Sequence, residues 1–321
     1  MSRRQATLTG ATGFLGWHVA ERLRDRGWAV RAVVRPGSVK RLPQDVEPFP
    51  SALDAAALAA AVAGSEVVIH AAAVTRARTE AEFTAVNVDG TRAVVEAANA
   101  SGARVVFISS LAAIGSGTPA RPAREDADPR PINAYGRSKL SAEAVVRATA
   151  SQPWTILRPS AVYGPRDRQF LPLFRLASRG LFLLAAPAST SFTMVYADDV
   201  VRAIVMAAET PRAAGQPIFI GHGEPATTAD ILSAMARTYG RRYAPRRIPR
   251  AVIGAAALAG DVAWRLGLQP ALDRRRLEEF DAEGFVCAVD RAIDVLGFTA
   301  AVPLAEGIER TGRWYRERGW V

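Results

Sequence analysis

Cysteine and lysine are nearly missing from this chain. A single cysteine, Cys287, among 321 residues excludes an internal disulfide and gives no sign of an oxidising compartment. The three histidines, His18, His70 and His222, lie far apart, so no ligand spacing for zinc or a redox metal exists and no metal is expected. Only two lysines occur, Lys40 and Lys139, and arginine supplies the rest of the 41 basic residues. Aromatic residues make up 7% and do not interleave with the basic ones as base-stacking surfaces require, so nucleic acid is not an expected partner. No apolar run approaches the roughly 18 residues of a membrane-spanning helix; the longest, Ala251 to Gly260, stops at Asp261. Met1-Ser2-Arg3-Arg4 leads directly into patterned sequence, so a secretory signal is not expected. The expectation is a soluble cytoplasmic protein.

What is present describes a globular chain: 49% hydrophobic residues, 22% charged and a net charge of +10. A chain of this length removes roughly three quarters of its unfolded surface from water on folding. The positive excess is uneven. Met235 to Arg276 holds ten arginines (237, 241, 242, 246, 247, 250, 265, 274, 275, 276) against Asp261 and Asp273. Short continuous apolar runs, Ala6–Thr9, Ala29–Val34, Val67–Ile69, Val105–Ile108 and Thr155–Leu157, read as strands. Helical patterns at Trp17–Arg26, Asp54–Ala63, Glu80–Ala100 and Tyr135–Ala150 alternate with them. Apolar strands alternating with helices predict a parallel sheet covered on both faces. Beyond Pro159 the rhythm breaks up, with a strand end and helix at Val195–Ala208 and a further strand at Pro217–Ile220.

Gly10, Gly13 and Gly16 stand between the first strand and the first helix. A dinucleotide pyrophosphate needs a tight turn there, a backbone it can approach closely, and the positive end of a helix. At the end of the second strand, where NAD-specific sites carry an acid, this chain has Arg35, with Ser38, Lys40 and Arg41 close behind. A cation there suits a 2′-phosphate, so NADP(H) is favoured, with NAD(H) still open. Ser110 follows a strand, and Tyr135 and Lys139 lie four apart at the start of a helix. That spacing puts both on one face, where an ammonium favours phenolate and lets the tyrosine exchange protons near neutral pH.

With these motifs the chain resembles the extended short-chain dehydrogenase/reductase family, which includes nucleotide-sugar epimerases and dehydratases, 3β-hydroxysteroid dehydrogenases and dihydroflavonol-reductase-like enzymes. The resemblance runs through TGATGFLG (9–16), HAAA (70–73), NVDGT (87–91), ISS (108–110), YGRSK (135–139), LRPSAVYGPRD (157–167), YADDV (196–200) and the terminal LGF…WYRERGW (296–320). It implies a doubly wound α/β fold of Rossmann type over 1–165, with returning segments near 193–221. A smaller, mostly helical substrate-binding part would comprise 166–192 and 222–321. It implies Tyr135 as catalytic acid/base, Lys139 lowering its pKa and holding the nicotinamide ribose, and Ser110 on the reacting oxygen. Cofactor contacts would come from Gly10, Thr12, Gly13, Phe14, Leu15, Gly16, Arg35, Ala71, Ala72, Asn87, Tyr135, Lys139, Pro159 and Val162. Asn87 also reads as a polar residue capping a turn, and His70 and Asp199 read as structural. One departure stands out: Ser51-Ala52-Leu53 occupies the place where relatives often carry Gly-Asp-Leu, so the usual adenine-binding aspartate is absent.

The resemblance leaves the substrate open. The segment 249–268 is apolar nearly all round and flanked by arginines, and reads as a buried helix of the substrate-binding part, or as an apolar wall or a helix touching anionic lipid. The expectation is an NADP(H)-dependent oxidoreductase acting on a hydrophobic alcohol or ketone, in a homodimer. A nucleotide-sugar epimerase or dehydratase with tightly held cofactor is the alternative, and a non-catalytic NAD(P) sensor the third.

Overall fold

The computed structural model describes residues 3–51, 55–268, 270, 272–274 and 277–321. Ala52 and Leu53 of the expected adenine-site departure, Asp54 at the expected helix start, and Arg275 and Arg276 lie outside the described residues. The first half alternates as the apolar runs require: β1 (Gln5–Thr9), α1 (Phe14–Asp25), β2 (Ala29–Val34), β3 (Glu47–Pro50), α2 (Ala55–Val62), β4 (Val67–His70), α3 (Glu80–Phe83), α4 (Gly90–Ser101), β5 (Arg104–Ile108), α5 (Ala134–Thr149) and β6 (Trp154–Pro159). The long helix expected from Glu80 to Ala100 divides at a π-helical turn, Thr84–Asp89. Next come β7 (Ala161–Tyr163), α6 (Leu171–Ser178), β8 (Phe182–Leu184), β9 (Ser191–Phe192), β10 (Met194–Tyr196), α7 (Ala197–Glu209) and β11 (Gln216–Ile220). The chain closes with β12 (Ala226–Thr227), α8 (Thr228–Thr238), β13 (Pro245–Arg247), α9 (Arg250–Arg265), α10 (Leu277–Asp281), β14 (Gly284–Phe285) and α11 (Leu304–Glu317).

The main sheet has seven strands in the order β11-β6-β5-β4-β1-β2-β3, and every neighbouring pair is parallel. Side chains alternate between two cores, as the pleat demands. In β4, Val67 and Ile69 join one core with α1 and α7, while Val68 joins the other with α2, α4 and α5. In β5, Val106 and Ile108 face the first core and Val105 and Phe107 the second. β3 was not expected, because Pro48 and Pro50 obscure it; it lies at one edge of the sheet, where a missing N–H costs least. Pro217 likewise sits in β11, the other edge.

A third core gathers Phe174 of α6, Phe182 of β8, Ile231 and Met235 of α8, and Ile308 and Tyr315 of α11. Short strand sets accompany it: β10 with β7, β12-β9-β14, and β13 with β8. The expectation of a buried helix at 249–268 is overturned. α9 buries only Ile253, Ala257 and Gly260, because a single stripe meets the protein while Trp264 is half-buried and the opposite face is exposed.

Candidate active site

The strand order reverses direction between β1 and β4, and a crevice opens at such a point beyond the carboxyl ends of the strands. The chain is tightest there. Gly10 has φ of +80°, and a Cβ on it would stand 2.7 Å from the Ala71 carbonyl carbon. A Cβ on Gly16 would stand 2.2 Å from the Gly10 carbonyl oxygen. Only glycine lets α1 begin this close to β1. The helix starts at Gly13 with no side-chain cap, so its first N–H groups point to the crevice as an anion-binding end.

A cleft of about 890 Å³ runs from this turn to the third core. Gly10, Thr12, Gly13, Phe14, Leu15, Gly16, Ala71, Ser110, Tyr135, Lys139, Pro159 and Val162 all line it. Three residues expected at the cofactor do not. Ala72 turns aside, its N–H donating to Thr9 Oγ1 at 3.2 Å. Asn87 is buried and spent on structure: Nδ2 donates to the Val74 carbonyl (3.0 Å) and to Ser138 Oγ (2.9 Å), and Oδ1 accepts from the Val74 N–H (2.8 Å). It ties the loop after β4 to α5. Arg35 is exposed at the head of a 3-10 turn, Pro36–Arg41, and it is Arg41, at the turn's other end, that faces the cleft. The turn carries the chain past the crevice after the strand has ended, which the spacing from Val34 does not reveal.

Tyr135 and Ser110 are brought together by two local devices. Asn133 caps α5, its Oδ1 accepting from the Gly136 N–H at 2.7 Å. Gly136 then lets the helix press on the turn after β5, where a Cβ would stand 2.2 Å from the Ala112 carbonyl oxygen. This glycine is visible in the YGRSK run, but nothing near it in sequence signals the close approach of Ala112. Burial pushes the Tyr135 phenol up to about 12, against the opposite pull of its hydrogen bond with Ser110.

Lys139, the residue expected to depress that phenol, lines the same cleft. Its Nζ donates to the Ile108 carbonyl at 2.6 Å and lies 4.2 Å from the centre of the Phe107 ring. Burial brings the ammonium down to about 7, opposed by the Glu143 carboxylate one turn further on. Glu143 is itself buried and held by Arg158 (2.9 and 2.7 Å), Ser109 (2.6 Å) and Arg147 (3.0 Å), and these partners overcome its burial to keep it below the usual carboxylate range. Behind the lysine, His70 bridges Thr9 (2.6 Å) and Thr91 (3.0 Å), and burial takes it down to about 3. It is a neutral structural strut. Asp199 likewise anchors backbone, accepting from the Ala301 and Val302 N–H groups at 3.0 and 2.9 Å.

The far side of the cleft is walled by apolar side chains, among them Leu173, Phe192, Met194, Ile231 and Leu232. Its mouth is basic. Arg166, with φ of +73°, lies 4.2 Å from the Trp17 ring centre, and Arg41 and Arg168 also line the space. Trp320 closes one side, stacked on Tyr315 at 5.7 Å. Among the described residues no cluster of His, Cys, Asp and Glu could hold a metal.

A parallel Rossmann-like sheet with a glycine turn and a polar trio in one cleft defines a dinucleotide-binding oxidoreductase. The family model described as NAD dependent epimerase/dehydratase family matches residues 6–221. The chain belongs to this family, among the extended short-chain dehydrogenases/reductases, and is an NAD(P)-dependent enzyme. It is 32% identical to a ceramide reductase of Caulobacter vibrioides, over 100% of this chain and 97% of that one. It is 30% identical to a 4-hydroxy-2-methyl-3-oxo-4-farnesyl-3,4-dihydroquinoline-1-oxide ketoreductase of Stigmatella aurantiaca, over 80% of both chains. Among solved structures, MoeE5 in complex with UDP-glucuronic acid and NAD superposes with a TM-score of 0.79 at 27% identity, covering 98% of this chain and 99% of the other.

Proposed function

We propose that this enzyme is an NADP(H)-dependent reductase of a hydrophobic ketone, with Tyr135 as proton donor. The observation that carries the reading is the apolar wall across the cleft from Tyr135 and Ser110, where Leu173, Phe192, Met194, Ile231 and Leu232 offer burial to a hydrocarbon. Two of its relatives are named reductases of lipid-like or prenylated molecules, which supports the same class. The cofactor fits the site: the glycine turn cannot carry side chains, the α1 N-terminus is uncapped, and the cleft continues from it to the trio. When bound, a nicotinamide supplies the hydride. Ser110 would hold the substrate carbonyl oxygen. Tyr135, whose pKa of about 12 keeps it protonated near neutral pH, would give its proton to the oxygen as it gains alkoxide character, since an alkoxide is a stronger base than phenolate. Lys139, fixed on Ile108, would present positive charge to the ribose. Arg41, and not Arg35, would meet the 2′-phosphate.

A second reading rests on the basic mouth. Arg41, Arg166 and Arg168 are placed to receive a diphosphate, and MoeE5 binds UDP-glucuronic acid. One assay separates the two: NADPH and NADH oxidation followed by absorbance across long-chain ketones and UDP-sugars. The reductase reading expects exchangeable NADPH and turnover that rises with substrate chain length. UDP-sugar conversion with no net change in cofactor absorbance would replace it with epimerisation.

A further inference from the structure

Among the described residues, seven large apolar side chains stand exposed, and five of them (Val252, Leu258, Val262, Leu266 and Leu268) lie on or just beyond α9, each more than half exposed. The helix has two opposed stripes. Ile253, Ala257 and Gly260 form the inner one, and Gly260 docks so closely that a Cβ would stand 1.9 Å from the Leu272 carbonyl oxygen. The outer stripe, with Val252, Ala255, Leu258, Ala259 and Val262, is exposed, and from Ala251 to Gly260 it contains no polar side chain. Water-facing helices ordinarily place their charges there, and an apolar face of this kind marks an interaction surface.

We propose that the outer face of α9 lies in the interfacial layer of an anionic membrane. Charge selects this occupant. Arg246 and Arg247 on the exposed strand β13 precede the helix and Arg265 ends it; none of the three makes an ion pair with a described carboxylate, whereas Arg250 pairs with Asp281 and Arg274 with Asp261. A second copy seated on the same face would bring these cations together, while anionic headgroups neutralise them. Apolar burial and headgroup attraction then act on one element. α9 is also a wall of the cleft: Trp264 in its last turn lines that space with Pro270 and Asp273, and donates to Asp273 Oδ2 at 2.8 Å. A hydrophobic substrate would pass from bilayer to cleft along the helix end. That last point rests on the reductase reading; the docking itself does not.

Vesicle sedimentation tests the docking without turnover. The full chain is expected to bind phosphatidylglycerol/phosphatidylcholine vesicles, with at least about tenfold less binding to phosphatidylcholine alone or in high salt. Leu258→Glu/Val262→Glu should lower binding at least about tenfold, with an unchanged thermal midpoint because both side chains already face water. Tyr135→Phe should bind like the parent chain, so loss of catalysis and loss of docking are distinguishable. Undiminished binding by the double variant, or no binding to anionic vesicles, would overturn the proposal. So would concentration-dependent dimerisation that the double variant abolishes in a protein that ignores vesicles; that result would assign the face to a second copy.

Discussion

On the sheet side of the cleft, the groups proposed for the reaction are held by backbone and by buried polar contacts. Gly10 and Gly16 press on their neighbours, Lys139 is fixed on a carbonyl, and Glu143 is gripped by Arg158, Arg147 and Ser109. On the opposite side the wall is side-chain bulk carried on α6, α8 and strands of two or three residues. Backbone-defined geometry cannot drift without unfolding, whereas a wall of apolar side chains reshapes with each substitution. In the proposed reading, chemistry falls on the rigid side and choice of substrate on the adaptable one.

The comparison can be broken or sharpened by experiment. Tyr135→Phe is expected to have the largest effect, a fall in turnover of about a hundred- to ten-thousand-fold, with cofactor affinity measured by fluorescence titration nearly unchanged. Comparable turnover in that variant would remove the phenol from the chemistry. Next, Glu143→Ala strands the Arg158 guanidinium in the core and should cost about 3–5 kcal/mol in denaturant unfolding. Phe192→Ala on the adaptable side should instead raise the substrate KM several-fold while leaving the cofactor KM as it was; equal damage to both would mean the two sides are not separate.

Two smaller effects follow from charge. Lys139 has a folded pKa of about 7 against about 10.4 in an unfolded chain. Between these values the unfolded state binds more protons, so this residue's contribution makes stability rise with pH from about 7 upward. The same titration should make kcat/KM fall through about pH 7 as the ammonium is lost, and Lys139→Arg should move that fall to higher pH. Finally, Arg41→Glu should weaken NADPH about tenfold and NADH little, while Arg35→Glu, at an exposed position outside the cleft, should change neither ratio. The reverse order would return the 2′-phosphate to the strand end.

Much of the sheet side was legible because its signals are local. Continuous apolar runs predict β1, β2, β4, β5 and β6, and the three glycines mark the turn between β1 and α1. Tyr135 and Lys139 share a face by spacing alone. β3 was hidden by two prolines that only an edge strand tolerates. β8, β9, β12, β13 and β14 were too short for any periodicity to register. The Glu143–Arg158 pair joins a helix to the strand after it, and nothing in either segment announces the other.

The amino-acid order by itself settled the fold class and marked the glycine turn and the residues Ser110, Tyr135 and Lys139, which line one cleft, because turn geometry and helical spacing act within a few residues. Tertiary structure alone decided that Arg41 faces the cleft in place of Arg35, that Asn87 braces a loop, that Lys139 holds a carbonyl, and that α9 turns its apolar side outward. Each of these depends on which distant segment arrives to cover a side chain, and burial is a property of the packed chain.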